Sequence, residues 1–367
     1  MKSSPSRLAV FTSLWVLLTA QAFAVTQYQY VDLSMGGTII GQANAVNDSG
    51  QVVGTRFVPG TVFTQESRAF TWANGIAQDL YFPAGTFQTL GMDINNAGTI
   101  AAIIQHTPYM GGESAIYHAD GSLQLLSTPG YTTGVAYGIN NQGQVVGGGW
   151  AWSDTPGYVY TNGVLTPLPN PSAGTRTVVK AINDNGQIVV QTVDANNPAS
   201  LGPTKINNNG TEVGTRRIAG PSSTAIARAY FTQYGVPQNL LPEDPALMSY
   251  AESINDLGFV VGYQQAVGSY PSDQEALLWD STGQVYNLND LTSGLGNFRL
   301  SHAMDINADG VIVGWGYESL GPNLPGPQRP FMLVPVPEPG SMVLILGAFA
   351  TALAGRRRSL RVSSATA

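Results

Sequence analysis

The chain has 367 residues, 43% of them hydrophobic and only 11% charged, with 43 glycines, 23 prolines and no cysteine. Enough apolar residues are present to bury a core, and the glycine and proline content matches turn-rich all-β repeat folds rather than a disordered chain. The missing cysteines exclude disulfides, thiolate metal sites and cysteine nucleophiles, and the ten basic against 22 acidic residues between positions 25 and 335 argue against nucleic acid, which needs a cationic surface to displace its counterions.

Residues 1–24 have the layout of a secretory signal peptide. Lys2 and Arg7 give a positive start, Leu8 to Ala20 supply a 13-residue, mainly apolar stretch, and Ala22-Phe23-Ala24 places small residues where a signal peptidase reads. Cleavage is expected after Ala24. The apolar stretch is too short to span a membrane comfortably.

From residue 25 to 335 one phrase recurs: a small or polar residue, Ile or Val, Asn, two turn residues, Gly, and a β-branched run often closed by Gly. It stands as Ala45-Val46-Asn47-Asp48-Ser49-Gly50-Gln51-Val52-Val53-Gly54 and as Gly138-Ile139-Asn140-Asn141-Gln142-Gly143-Gln144-Val145-Val146-Gly147, with further copies centred on Asn95, Asn183, Asn207, Asn255 and Asn307. Successive Asn residues are 48, 45, 43, 24, 48 and 52 apart, a period near 45 with one half-step, and such a period indicates a repeat architecture. Asn, Asp and Gly enter left-handed turn conformations cheaply and the Val/Ile run suits a half-buried strand, so each phrase predicts a hairpin. Most repeats add a second one. Ala69-Phe70-Thr71-Trp72 and Ile76–Leu80 flank Asn74-Gly75, Ile116-Tyr117 and Leu123–Leu125 flank Asp120-Gly121, Tyr158–Tyr160 and Val164-Leu165 flank Asn162-Gly163, and Glu275–Trp279 and Val285–Leu288 close the series.

Four short strands per 45 residues make a β-propeller blade. Tyr30–Leu33 reads as a fourth strand that precedes any repeat, and Pro330–Leu333 as a third strand with nothing after it. Joined, they complete one blade from both termini. The expected fold class is all-β: a closed propeller of six four-stranded blades, or seven if the half-step between Asn183 and Asn207 counts as one. The pattern over residues 28–335 resembles the HAF family of extracellular repeats, although Arg68-Ala69-Phe70, Arg228-Ala229-Tyr230 and Arg329-Pro330-Phe331 stand where that family has His-Ala-Phe. The resemblance implies an extracellular repeat protein and brings no catalytic residue with it.

Few residues in this region suggest chemistry. The three histidines His106, His118 and His302 sit in no metalloprotease pair, and no nucleophile elbow or phosphate loop occurs. Asp79, Asp290 and Asp305 are carboxylates that an acid-pair hydrolase acting on polysaccharide would have to bring together. Asp305-Ile306-Asn307-Ala308-Asp309-Gly310 has the opening of a calcium loop, with Asp305, Asn307 and Asp309 as oxygen ligands for Ca2+, but the twelfth position is Gly316 where an EF-hand needs a carboxylate. Trp72 and Trp279 share a repeat position and are expected in the core. Trp150 and Trp152, after three glycines, break the pattern and are the candidates for stacking on a sugar.

Residues 336–367 form a second exported-protein signal. Pro339 to Gly355 are 17 uncharged residues, followed by Arg356-Arg357-Arg358. As a helix the stretch would rise about 25 Å, at the short end of a membrane span, with the arginines on the cytoplasmic side. Val336-Pro337-Glu338-Pro339-Gly340-Ser341, the apolar run and the arginine cluster together resemble the PEP-CTERM sorting signal of Gram-negative bacteria. That resemblance implies recognition of Pro337-Glu338-Pro339 by an exosortase, transient anchoring through helix 339–355, and release to the cell surface or extracellular matrix. The functional expectation is an exported, non-catalytic surface or matrix repeat protein, with signal peptidase and exosortase as processing partners and extracellular polysaccharide as the candidate ligand. The alternatives are a propeller enzyme acting on polysaccharide, or a glycan- or calcium-binding module.

Overall fold

The computed structural model describes residues 26–36, 39–58, 66–107, 112–126, 134–149, 155–170, 172, 175–194, 201–219, 225–241, 244–268, 273–321 and 324–336. The signal peptide with Ala22 and Ala24, the pair Trp150 and Trp152, and the tail with Pro337, Glu338, Pro339 and Arg356–Arg358 lie outside them. Among the described residues, no helix is long and apolar enough to cross a membrane.

The fold is an all-β propeller with six blades of four or more strands and almost no helix. In chain order the blades span 41–79, 88–126, 135–167, 203–239, 247–287 and 298–336. The half-step in the sequence corresponds to a two-stranded sheet, Thr175–Ile182 with Ile188–Asp194, between the third and fourth of these. Among the described residues this sheet has no outer hairpin, but it presents its inner strand like any blade, so seven inner strands surround the axis. Blades are numbered one to seven below, the two-stranded sheet being blade 4.

The terminal strands share one sheet. Gln27–Asp32 runs antiparallel to Leu324–Val336, with Tyr28 opposite Pro335 and Asp32 opposite Phe331. A short parallel bridge from Thr292–Ser293 adds a fifth member to blade 7. The outer hairpins fall where the sequence placed them, and Asn74, Asn162 and the glycines after them have positive φ, as a two-residue hairpin of this hand requires. The expected strand Val285–Leu288 ends one residue earlier, at Asn287. Asn287 accepts a hydrogen bond from the Asn289 amide and starts a one-turn helix, Leu288–Leu291, which buries both leucines.

The core lies between blades rather than at one centre. Phe70 and Trp72 of blade 1 pack with Leu33, Val313 and Met332 of blade 7. Trp279 packs with Val213 and Ala229 across the blade 5–6 boundary, and its indole N–H donates to the Leu241 carbonyl. Both tryptophans are therefore core residues, as their shared repeat position indicated.

Candidate functional site

The innermost strands bring their repeat positions to one axis, so the site is a set of layers. The outermost layer is the recurring Asn. Its side-chain oxygen accepts amide hydrogens from its own turn, Ser49 and Gln51 for Asn47 and Ala97 and Thr99 for Asn95. Its side-chain nitrogen donates to the backbone carbonyl of the next Asn round the axis. The bonds run from Asn47 to Asn95, Asn140, Asn183, Asn207, Asn255 and Asn307 at 2.8 to 3.1 Å, and Asn307 donates to the Asn47 carbonyl at 3.0 Å. All seven asparagines are buried. The turn reading was right about position but not about mechanism: the residue with positive φ is the Gly three places on, such as Gly50 or Gly143, while Asn supplies hydrogen bonds.

The next residue of each turn forms a rim. Asp48, Asn96, Asn141, Asp184, Asn208 and Asp256 link in sequence, the backbone N–H of one donating to the side-chain oxygen of the next at 2.7 to 2.9 Å from Asp48 through Asn208. Ala308 interrupts this ring, offering only its amide to Asp48. Inside the rim a cavity of about 160 Å³ opens on the axis.

Two residues before each Asn, the side chains meet across the axis. Here Lys205 of blade 5 reaches Asp93 of blade 2 at 3.3 Å and Asp305 of blade 7 at 3.9 Å. Asp93 also accepts from the Ile139 amide, and Asp305 from the Val46 amide at 3.0 Å and the Ser253 hydroxyl at 2.6 Å. Burial alone would lower the Lys205 pKa, but the two carboxylates outweigh it and hold the amine charged. The cluster is a plug: two buried carboxylates from two blades share one half-buried ammonium from a third.

Asp305, Asn307 and Asp309 are not brought together as a cation cage. Asp305 is engaged in the plug, Asn307 in the asparagine ring, and Asp309 is an exposed turn residue. Among the described residues, no group of three His, Cys, Asp or Glu has a metal-holding arrangement. The candidate acid pair does not converge either. Asp79 on the outer strand of blade 1 forms an ion pair with Arg56, Asp290 is exposed in the short helix, and Asp305 is on the axis.

A further layer was not read from the sequence. In all seven inner strands the pairing register shifts at the same place, between the residues four and two positions before the Asn. Such bulges re-aim side chains, and the bulged residues are Asn44, Met92, Tyr137, Lys180, Thr204, Glu252 and Met304, all half-buried. Lys180 lies over the Tyr137 ring at 4.1 Å and is electrostatically coupled to Glu252, two blades on. Burial raises the Glu252 pKa to about 7, with Lys180 pulling the other way. The sequence signal that accompanies these offsets is the glycine seven positions after the Asn in five of the seven repeats.

Beside this layer, blades 6 and 7 share an aromatic stack: Tyr250 on Tyr263 at 4.5 Å, Tyr263 on His302 at 3.7 Å, and His302 on Trp315 at 4.1 Å. Burial lowers the His302 pKa to about 3, so this histidine is neutral packing material. His118 and His106 have ordinary surroundings, near Gln124 and Glu113 respectively. Of the arginines standing for the family's histidine, Arg228 is buried and donates to the Leu247 carbonyl at 2.6 Å, and Arg329 forms an ion pair with Glu318 at 3.2 Å.

Among solved structures the chain is similar to a TolB-like protein of Agrobacterium tumefaciens (TM-score 0.46, 11% identity, 85% of this chain and 100% of that one). It is also similar to the β-propeller domain of the trilobed protease of Pyrococcus furiosus (0.41, 10%, 82% and 86%), and to an α-L-arabinofuranosidase of Podospora anserina (0.32, 12%, 84% and 96%). None of the three bears on what this chain does. No curated protein matches it. Residues 126–300 match the family described as "Protein of unknown function (DUF3466)".

Proposed function

We propose that this chain is an exported, non-catalytic surface or matrix protein, handed on by an exosortase-type system, whose propeller is a closed, rigid binding scaffold. The observation that carries the non-catalytic reading is the plug: the carboxylates that converge on the axis, Asp93 and Asp305, are spent on Lys205, backbone amides and Ser253. An acid-pair hydrolase acting on polysaccharide needs a carboxyl free to give a proton and a second free to take one or to attack. The asparagine bond from Asn307 back to Asn47 and the pairing of the two terminal strands support closure, and the two sequence signals support export and sorting. Extracellular polysaccharide is the partner class this location suggests.

Incubating the purified protein with a panel of extracellular polysaccharides should give no new reducing ends, and turnover of any would overturn the non-catalytic reading. In a host with an exosortase, mass spectrometry of the exported protein should find cleavage near Pro337-Glu338-Pro339. An intact Arg356–Arg358 cluster on the surface-exposed form would overturn the sorting reading.

A further inference from the structure

Between blades 5 and 6 lies a further cavity, of about 540 Å³, walled by residues of both blades. That size falls within the range of about 300–1,000 Å³ usual for small-molecule sites. Its apolar lining includes half-buried Phe231 and buried Leu240, and continues in Leu241 and Leu257, which stay more than half exposed. Its polar lining includes Asn209, Gln233, Asp256 and Asp280. The Asn208 amide and side chain hold the Asp256 carboxylate, and the Thr282 and Gln284 amides hold that of Asp280, so both stand as fixed acceptors. The Asn209 side-chain nitrogen donates to the Asp256 carbonyl at 2.8 Å, while its side-chain oxygen and the whole Gln233 amide bond to no other described residue. Among the described lining residues there is no lysine or arginine.

A separate feature stands next to Gln233. It leads into the blade 5 hairpin turn Tyr234-Gly235, where blades 1 and 3 have Asn74-Gly75 and Asn162-Gly163. Tyr234 has a φ of 53°, a left-handed conformation that Asn enters more readily than an aromatic residue, and it is 98% exposed. Neither packing nor turn geometry accounts for a tyrosine there.

We propose that the cavity between blades 5 and 6, with Tyr234 beside it, binds a non-acidic hexopyranose chain; the inference rests on the polysaccharide reading above and gives it a place and a class. A pyranose ring has an apolar C–H face and a margin of hydroxyls. The face suits the rings of Phe231 and Tyr234. The hydroxyls donate to the two carboxylates and the Asn209 oxygen, and hydrogen bonds to ionised acceptors are the stronger kind. An acidic sugar would bring its anion to two carboxylates with no cation to receive it. An apolar peptide would strip water from the polar lining and leave it unpaired.

Calorimetric titration of the purified full-length protein with tetrasaccharides of glucose, mannose and glucosamine tests this, against tetragalacturonate and tetra-alanine. At least one of the three should bind saturably, and both comparators about tenfold more weakly or worse. Tyr234→Asn installs the residue the turn prefers, so the unfolding temperature should hold or rise while binding weakens severalfold. Phe231→Ala should weaken binding further, and if it fails to fold, Gln233→Ala, at an exposed side chain, takes its place. Glycan binding that the folded variants leave unchanged would overturn the site while leaving polysaccharide as the partner. Equal binding of either comparator would overturn the ligand class, and no binding of any glycan would overturn the site and the polysaccharide reading together.

Discussion

At the scale of single residues, the asparagine of the repeat does more than its place in a turn suggests. Asn140 uses its oxygen for the Gln144 amide and its nitrogen for the Asn183 carbonyl at 3.0 Å, and it is 3% exposed. Asn140→Ala leaves the Gln144 amide without a partner, which costs about 1–3 kcal/mol when no water replaces the bond, and takes from the Asn183 carbonyl one of its two donors, the Gly186 amide being the other. Thermal unfolding should therefore shift down by several degrees, while Asn141→Ala, on the exposed rim, should shift it less. Equal shifts would mean that the asparagine ring is incidental. His302 gives a second residue-scale expectation. Its folded pKa, about 3, lies below the unfolded value near 6.5, so between those values the unfolded chain binds a proton that the folded one refuses. Stability must then fall as the pH drops through that window. A His302→Phe variant should show a flatter pH dependence of unfolding from 6.5 to 3 than the wild type, and an unchanged slope would remove His302 as the cause.

At the scale of elements, the hairpins and their order were legible because their signals are local: Asn-Gly turns, β-branched runs and a fixed spacing. The bulges were not, since a bulge is a relation between two strands, and its one trace in the sequence is the glycine that closes the phrase. A Cβ at Gly262 would come far inside contact distance of the Tyr250 carbonyl, and one at Gly314 equally of the His302 carbonyl. The bulged inner strand thus presses on the second strand where the glycine sits. Ala102 and Val190 occupy the same offset in blades 2 and 4, so the approach differs among blades and only some need glycine. Gly262→Val should cost stability through backbone displacement, of the 1–3 kcal/mol order of overpacking, and Ala102→Gly should cost less. The opposite ranking in chemical denaturation would show that the glycine is there for the turn alone. The strand read as Val285–Leu288 ends at Asn287, and Leu288, whose apolar side chain continues the run, instead opens the helix Leu288–Leu291. Asn287 as a cap is what ends the strand, and a single Asn is too common in this chain to stand out.

At the scale of the whole molecule, the two ends were readable as halves of one blade because each was an incomplete copy of a pattern seen whole elsewhere. The axial chemistry was not readable, because Asp93, Lys205 and Asp305 are spread over more than 200 residues of chain and meet only once the strands are arranged round an axis. The terminal strand gives the last expectation. Gln27–Asp32 covers the outer strand of blade 7, and its neighbourhood buries Tyr28 at 2% and Leu33 at 0% exposure, in two separate apolar clusters. Deleting residues 26–34 removes a strand's worth of hydrogen bonds and both side chains, where loss of a single buried leucine already costs about 2–5 kcal/mol. It also leaves the edge of Leu324–Val336 open, and an open edge pairs with other chains. The deletion should lower the unfolding temperature and produce oligomers that grow with concentration. A synthetic peptide of residues 26–36 added in trans should reverse both effects, because it refills the same edge and the same two pockets. If the truncated protein instead stays monomeric and unfolds at the wild-type temperature, the terminal pairing contributes nothing to holding the blades together, and the stability of the ring rests on the asparagine circuit and the packing between blades.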